Sequence, residues 1–391
     1  SATVRDPAEL AAWLGAPGEP ATIVAADRAI AAPPLIRMLE TAAPLPWAGH
    51  TARHALPEIY ATIKRHRLSL LFVNTRMQAE LLFRMLWDIN DDNLRIALHH
   101  GSLDVAQRRR VEAAMTAGGL DAVVCTSTLD LGIDWGDVDL VVNVGAPKGA
   151  SRLLQRIGRA NHRLEEASEA ILAPSNRFEV LECRAAIDAA EAGAQDAEVT
   201  RTGALDVLAQ HVLGMAVAEA FDADALFAEI VSAAPFAGLD RADFDSVLDF
   251  VATGGYALKS YERFARIRRR KDGLWRVSNP RIAQSYRMNI GTIVESTMLK
   301  VRLGRARSQG EGHTGPIRAG GRVLGEVEEY FAEQLSPGDT FAFGGEVVAF
   351  QAIVGDEAVV ARAAAADPKV PSYVGARFPL STHLAGRVRA M

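Results

Sequence analysis

Short apolar runs alternate with amphipathic stretches over residues 66–163. Residues 68–73 (LSLLFV), 96–98, 122–125 and 140–144 are apolar and too short for helices, so they predict buried strands. Residues 78–89, a stretch from Asp104 and another from about Ser151 carry apolar positions at helical spacing. The order strand, helix, strand, helix, strand, strand, helix is that of an α/β domain with a parallel sheet. Ligands of such sheets sit off the C-terminal strand ends. The residues just after each run are therefore the ones to read for chemistry.

The pattern then changes. Residues 205–220, 224–233 and 240–253 predict three helices, the last with Asp240 as N-cap and Gly254-Gly255 as stop. Residues 264–270 and 274–277 alternate around Lys271-Asp272-Gly273, a hairpin signal. Three helices and a hairpin make an α+β winged helix. Residues 288–294 read as a strand, and alternating stretches with glycine turns after residue 320 predict a small β-barrel. At the other end, Asp6-Pro7 starts a helix whose apolar face is Leu10, Ala11, Trp13 and Leu14. Residues 15–54 are rich in Pro and Ala, with two or three short strands, and carry no motif.

Composition narrows the class. The chain has 391 residues, 49% hydrophobic and 23% charged, enough for several globular domains. No apolar run reaches the length of a membrane span. Two cysteines, Cys125 and Cys183, predict neither a disulfide framework nor a zinc cluster and favour a reducing, cytoplasmic setting. Cys183 reads as a core residue. The net charge of −5 announces no nucleic-acid binder, but basic residues concentrate between Lys259 and Arg322.

Candidate chemistry stands at the strand ends. Thr126, Ser127 and Thr128 offer hydroxyls and backbone N–H groups suited to a phosphate, and Asp134 suits a ribose hydroxyl. Gln155, Arg156, Arg159 and Arg163 fall on or near one helix, with Arg159 and Arg163 four apart on one face; an Arg-rich helix is also an ordinary solvated face. Thr75 and Arg76 follow one strand. His99, His100 and Ser102 follow another, with His99 read as a core imidazole and His100 as the contact. His50 and His54 read as surface residues without a third metal ligand. Arg266, Arg268 and Arg270 alternate on the hairpin, suited either to phosphate contacts or to a charged edge strand.

These motifs carry a resemblance. C-T-S-T-L-D-L-G-I-D (125–134) and Q-R-I-G-R-A-N-H-R (155–163) resemble motifs V and VI of superfamily-two helicases. The second is close to Lhr-type (large helicase-related) helicases, especially their bacterial DNA-ligase-associated DEXH-box branch. F-V-N-T-R (72–76), H-H-G-S-L (99–103), A-P-S-N-R-F-E (173–179), G-R-V-L-G-E-V-E-E-Y-F (321–331) and V-P-S-Y-V-G-A-R-F-P-L-S (370–381) are similar to that family as well. Ser1-Ala2-Thr3 matches motif III, so Ser1 and Thr3 take its coupling role.

The resemblance implies a motif III linker at 1–54, a second RecA-like domain at 55–190, a winged helix at 191–285 and a β-barrel-like domain at 286–391. It implies Arg159 as arginine finger, with Arg163 or His162 beside it and Gln155 on the ATP side. Gly132 and Asp134 fall at the nucleotide's sugar. Thr75, Arg76, His100, Ser102, Thr126 and the hairpin arginines fall on nucleic acid. Tyr373 stands where relatives stack an aromatic on single-stranded DNA, although a lone Tyr there is also a packed loop.

The implied parent uses ATP and Mg²⁺ to move 3′ to 5′ on single-stranded DNA, or to unwind RNA:DNA hybrids, in repair with a ligase or nuclease. No G-x-x-x-x-G-K-[ST] loop or D-E-x-H box occurs in the sequence; Asp356-Glu357-Ala358-Val359 only superficially resembles such a box, and Gly355-Asp356 reads as a hairpin turn. The expectation is a fragment that holds no ATP tightly and hydrolyses none alone. A non-catalytic nucleic-acid-binding module and a Ski2-like RNA helicase are the alternatives.

Overall fold

The computed structural model describes residues 4, 6–24, 34–130, 138–160, 168–196, 200–255, 264–288, 298–304, 319–365, 367–372 and 380–391. The chain divides into two compact units. One holds residues 27–196 and 296–391, the other residues 6–26 and 197–295.

The first unit is built on a six-stranded sheet in the order β1-β6-β5-β2-β4-β3. Its strands are β1 (Leu35–Met38), β2 (Ser69–Phe72), β3 (Ile96–His99), β4 (Ala122–Cys125), β5 (Leu140–Val144) and β6 (Glu169–Ala173). Every pairing is parallel. The predicted strands and the parallel α/β arrangement are therefore present. The central strands are apolar throughout because both faces are covered. Residues 34–54 are more than a linker: β1 extends this sheet beyond β6. It is half exposed, with Arg37 paired to Glu169 at 2.6 Å, so it carries no buried-strand signature.

The helices are α2 (Leu56–Ile63), α3 (Arg76–Asp88), α4 (Val105–Thr116), α5 (Ala150–Ile157) and α6 (Arg177–Glu191). The helix predicted from Asp104 is α4, and Asp104 caps it, its carboxylate accepting from Ala106 N at 3.0 Å. The terminal helix α12 (Thr382–Ala390) packs on α6, and Leu384 is buried in the sheet's core. The chain thus returns to the parallel sheet after the β-rich segment.

That segment forms a five-stranded sheet, β10-β9-β13-β12-β11, not the closed barrel expected. Its strands are β9 (Met298–Gly304), β10 (Ala319–Glu328), β11 (Thr340–Phe343), β12 (Glu346–Val354) and β13 (Glu357–Arg362), with the short helix α11 (Glu329–Glu333) following β10. Among the described residues β10 and β11 are its two edges, making a half-barrel. Gly355-Asp356 is the predicted turn between β12 and β13.

This sheet is fastened to the parallel one. Glu326 N donates to Ser102 O at 2.8 Å, and Asp104 N donates to Leu324 O at 3.0 Å. Between them Gly325 has φ +156°, and a Cβ there would lie 2.1 Å from Ser102 O. Gly325→Ala is expected to cost about 1–3 kcal/mol through strain and overpacking. Hydrogen exchange at the Asp104 and Glu326 amides checks this, and unchanged protection there would refute the fastening.

The second unit contains the three predicted helices as α7 (Leu205–Ala218), α8 (Ala223–Val231) and α9 (Arg241–Thr253). The hairpin is β7 (Ile267–Arg269) and β8 (Trp275–Val277), and Gly254 stops α9 in the left-handed conformation with φ +81°. Phe221 and Trp275 exchange backbone hydrogen bonds at 2.9 and 2.8 Å, pinning the hairpin to the α7–α8 connection. Leu208, Val212, Phe244 and Ile267 share one core. This is a winged helix, with α1 (Pro7–Leu14) and α10 (Pro280–Met288) added to it. Met288 ends α10, so the predicted strand at 288–294 starts on a helix; its remaining residues lie outside the described ones. Asp6 caps α1 as expected, but only Ala11 of its apolar face is buried.

Candidate nucleotide and nucleic-acid interface

Three strand ends and one helix meet at the C-terminal edge of the parallel sheet. Asp130 follows β4, Asn143 lies in β5, and Arg152 and Arg156 lie one turn apart on α5. Arg156 is 1% exposed. Its Nε donates to Asp130 Oδ1 at 2.9 Å, and its Nη1 donates to Asn143 Oδ1. Its guanidinium lies 4.8 Å from the centre of the Phe72 ring. Arg152 Nε stands 3.6 Å from the other Asp130 oxygen. Burial lowers the Arg152 pKa, with Asp130 opposing. One carboxylate therefore joins both arginines and fixes the rotation of α5 against β4 and β5. Sequence alone marks Arg156 without a role and passes over Asp130 and Asn143. The available signal is two arginines four apart on a helix facing an acid in the preceding motif.

The N-terminus of α5 is held separately. Gly149 offers no side-chain cap. Asp196 supplies one, its Oδ2 accepting from Ser151 N at 2.8 Å. Ser381 Oγ donates to Asp196 Oδ1 at 2.5 Å, tying in the start of α12. A Cβ on Gly149 would lie 2.6 Å from Asp196 Oδ2, so glycine leaves that carboxylate room.

The expected nucleotide residues sit on this frame. Gln155 is half-buried on α5. Arg159 is half-buried just past its end, with Nε donating to Gln155 O at 3.4 Å. The helix stops at Ile157, so Arg159 stands in the turn past its end. Gly132, Asp134, His162, Arg163, Tyr373, Ser1 and Thr3 lie outside the described residues. Half-exposed cationic groups beside a strand edge suit the phosphates of ATP. Among the described residues no group of three or more His, Cys, Asp or Glu is arranged for a metal ion.

The expected nucleic-acid residues divide. Thr75 is exposed and caps α3 in a reciprocal box, its Oγ1 accepting from Gln78 N at 3.1 Å and its N donating to Gln78 Oε1 at 3.0 Å. Arg76 is half-buried, and its Nη1 donates to Ser102 Oγ at 2.8 Å. Thr126 is 7% exposed at the end of β4. Arg266, Arg268 and Arg270 are exposed on the wing, with Arg270 paired to Asp272 at 3.0 Å.

His100 and Ser102 need correction. His100 is 0% exposed, with Nε2 at 3.0 Å from Glu80 Oε1. Glu80 also accepts from Gly344 N at 2.7 Å and Gly345 N at 3.2 Å, at the β11–β12 turn. Both glycines have positive φ, which points their successive N–H groups at one carboxylate. His100 thus helps hold the half-barrel and is not available to a phosphate. Ser102 is covered by β10.

His99 is a core imidazole as expected, between Thr128 Oγ1 at 2.8 Å and Glu112 Oε1 at 3.1 Å. Burial depresses its pKa, with Glu112 opposing. His54 is not the surface residue expected: both ring nitrogens are buried, and burial lowers its pKa. Cys125 and Cys183 are buried thiols whose pKa values burial raises.

Comparison with known proteins agrees with this layout. Residues 51–163 match the helicase conserved C-terminal domain family, and residues 188–370 match the winged helix domain of large helicase-related protein, Lhr. The ATP-dependent helicase Lhr-Core of Methanocaldococcus jannaschii is 33% identical over 83% of this chain and 36% of that protein. The Lhr helicase and probable uracil glycosylase of Mycolicibacterium smegmatis is 30% identical over 96% of this chain and 26% of that protein. A solved structure of Mycobacterium smegmatis helicase Lhr bound to ssDNA and AMP-PNP superposes with a TM-score of 0.65 at 32% identity, covering 76% of this chain and 38% of that one. The chain spans about a third of the length of the curated relatives it matches. With a helicase C-terminal sheet and an Lhr winged helix in this order, the chain belongs to the Lhr-like helicase family.

Proposed function

We propose that this chain supplies the second RecA-like domain and the strand-gripping domains of an ATP-dependent DNA translocase. The substrate is single-stranded DNA, followed 3′ to 5′ during repair, in the manner of the DNA-ligase-associated branch. A ligase or nuclease is the expected partner. The observation that carries the reading is the Asp130–Arg156–Asn143 clamp. It orients α5 so that Gln155 and Arg159 stand at the sheet edge that Thr75 and Thr126 also border. The solved Mycobacterium smegmatis relative, bound to ssDNA and AMP-PNP, supports the same pairing of strand and nucleotide.

The roles follow from the chemistry. Another RecA-like domain brings the phosphate loop and the acids that hold Mg²⁺. Arg159 faces the γ-phosphate and stabilises charge there, with Arg163 or His162 beside it and Gln155 aiding alignment. Gly132 and Asp134 hold the ribose. Thr75, Arg76 and Thr126 guide the strand's backbone, the wing arginines add phosphate contacts, and Tyr373 stacks on a base.

Fluorescence anisotropy of the chain with a labelled single strand, DNA and RNA in parallel across a salt series, tests this. Binding should favour DNA and weaken with salt. Arg266→Ala with Arg268→Ala should flatten the log–log salt slope by ~0.7 for each phosphate no longer neutralised. Preference for RNA would favour the RNA-helicase alternative, and absence of binding at low salt would refute the strand-gripping role.

A further inference from the structure

The loop before α2 exposes a feature that these roles leave unused. Trp47 is 67% exposed, and the Arg177 guanidinium lies 4.4 Å from the centre of its ring. Phe178, next on the first turn of α6, is 66% exposed. Single exposed aromatics are common, and Trp87 and Tyr330 are also open, so exposure alone marks no site; here two aromatics flank one arginine that is stacked on the indole.

The loop is built, not loose. Arg177 N donates to Pro46 O at 3.0 Å, and Arg177 Nε donates to Leu45 O at 3.1 Å. Asn176 Nδ2 donates to Gly49 O at 2.9 Å. Gln78 Nε2 donates to His50 O at 3.0 Å. Hydrogen bonds from the starts of α3 and α6 thus set the indole in place. Gln78 is also the residue that closes the capping box with Thr75. The loop therefore borders the strand-end residues assigned to the nucleic-acid backbone. His50, at 71% side-chain exposure, and Arg53 add polar and cationic groups on the same segment.

We propose that Trp47, Arg177 and Phe178 form a base-stacking platform for single-stranded nucleic acid at the C-terminal edge of the parallel sheet. The chemistry fits this occupant. An indole accepts any base on its face, and an arginine stacked on it holds the ring while offering N–H donors to a phosphate. A phosphate that reaches Thr75 brings its neighbouring bases toward the loop anchored on Gln78. The inference rests on the proposed strand-gripping function and extends its path past β5 to α6.

The test uses the full chain with an oligothymidylate carrying 5-iodouracil at single positions. Photocrosslinking of the wild-type chain should label residues 45–50 or 177–178. In anisotropy titrations Trp47→Ala should weaken binding about tenfold, as removal of one stacked base predicts, and Trp47→Phe should recover part of that affinity. Trp47 is exposed, so the thermal melt should be unchanged. If Trp47→Ala binds as the wild type does, no crosslink falls on this loop and the wing variants still weaken binding, the platform is overturned and the strand-gripping function stands. That pattern would point to a protein surface docking there. If the wild-type chain binds no strand, both readings fall.

Discussion

Arg159→Ala is expected to lower ATP turnover by ~10³–10⁵ once a first RecA-like domain completes the site. The group stands in the turn just past α5, a helix whose rotation is set by the buried Asp130–Arg156 pair and whose start is held by Asp196. Its guanidinium is half-exposed, so removing it should leave the fold intact. Arg159→Lys should restore little, because an ammonium lacks the planar fork that spans phosphoryl oxygens. The check is single-turnover hydrolysis at saturating ATP. Loss in turnover with unchanged nucleotide affinity identifies a group that acts in the transition state. Weaker nucleotide affinity with turnover at saturation unchanged would instead place Arg159 on binding.

Arg156→Ala should destabilise the first unit by about 3–5 kcal/mol, the usual cost of stranding one member of a buried pair. Asp130 and Asn143 would each lose their hydrogen bond to this side chain, and the Phe72 ring would lose its cationic neighbour. Arg152 cannot replace it, being 3.6 Å from Asp130 and on the preceding turn. The chain has two units, so a single unfolding midpoint would mix them. Hydrogen exchange resolved to β4, β5 and α5 measures the effect where it falls. Exchange in the wing should be unaffected, and a loss spread equally over both units would contradict a local clamp.

The sheet's interior was legible because both its faces are covered. Strands β2, β4 and β5 are buried at every position, and short apolar runs alternating with helices are the mark of a parallel sheet covered on both faces. The wing was equally plain, since Asp272-Gly273 between alternating residues demands a tight turn. β1 was not legible as part of this sheet: an edge strand with half its residues exposed, including Arg37, has no periodic mark. The half-barrel was misjudged because β9 pairs in parallel with β13, far along the chain, and alternation does not reveal pairing order.

The site shows the same division. Motif order singles out Gln155 and Arg159 as candidates. It did not reveal that Gly158 ends α5, which moves Arg159 off the helix. His100 looked like a contact because it follows a strand, yet Glu80 and the glycine turn at 344–345 enclose it from distant parts of the chain. Asp130 was hidden for the opposite reason: it lies within a motif whose neighbours drew attention as ligands, while its own task is to hold an arginine.

The proposed role of this chain is to couple a strand to a nucleotide site at one sheet edge. Its most direct test is the ratio of ATP hydrolysis with and without single-stranded DNA, for the chain joined to the first RecA-like domain of an Lhr relative. Hydrolysis is predicted to rise with the strand and to vanish in Arg159→Ala. Hydrolysis that proceeds equally with and without the strand, and survives Arg159→Ala, would contradict that role.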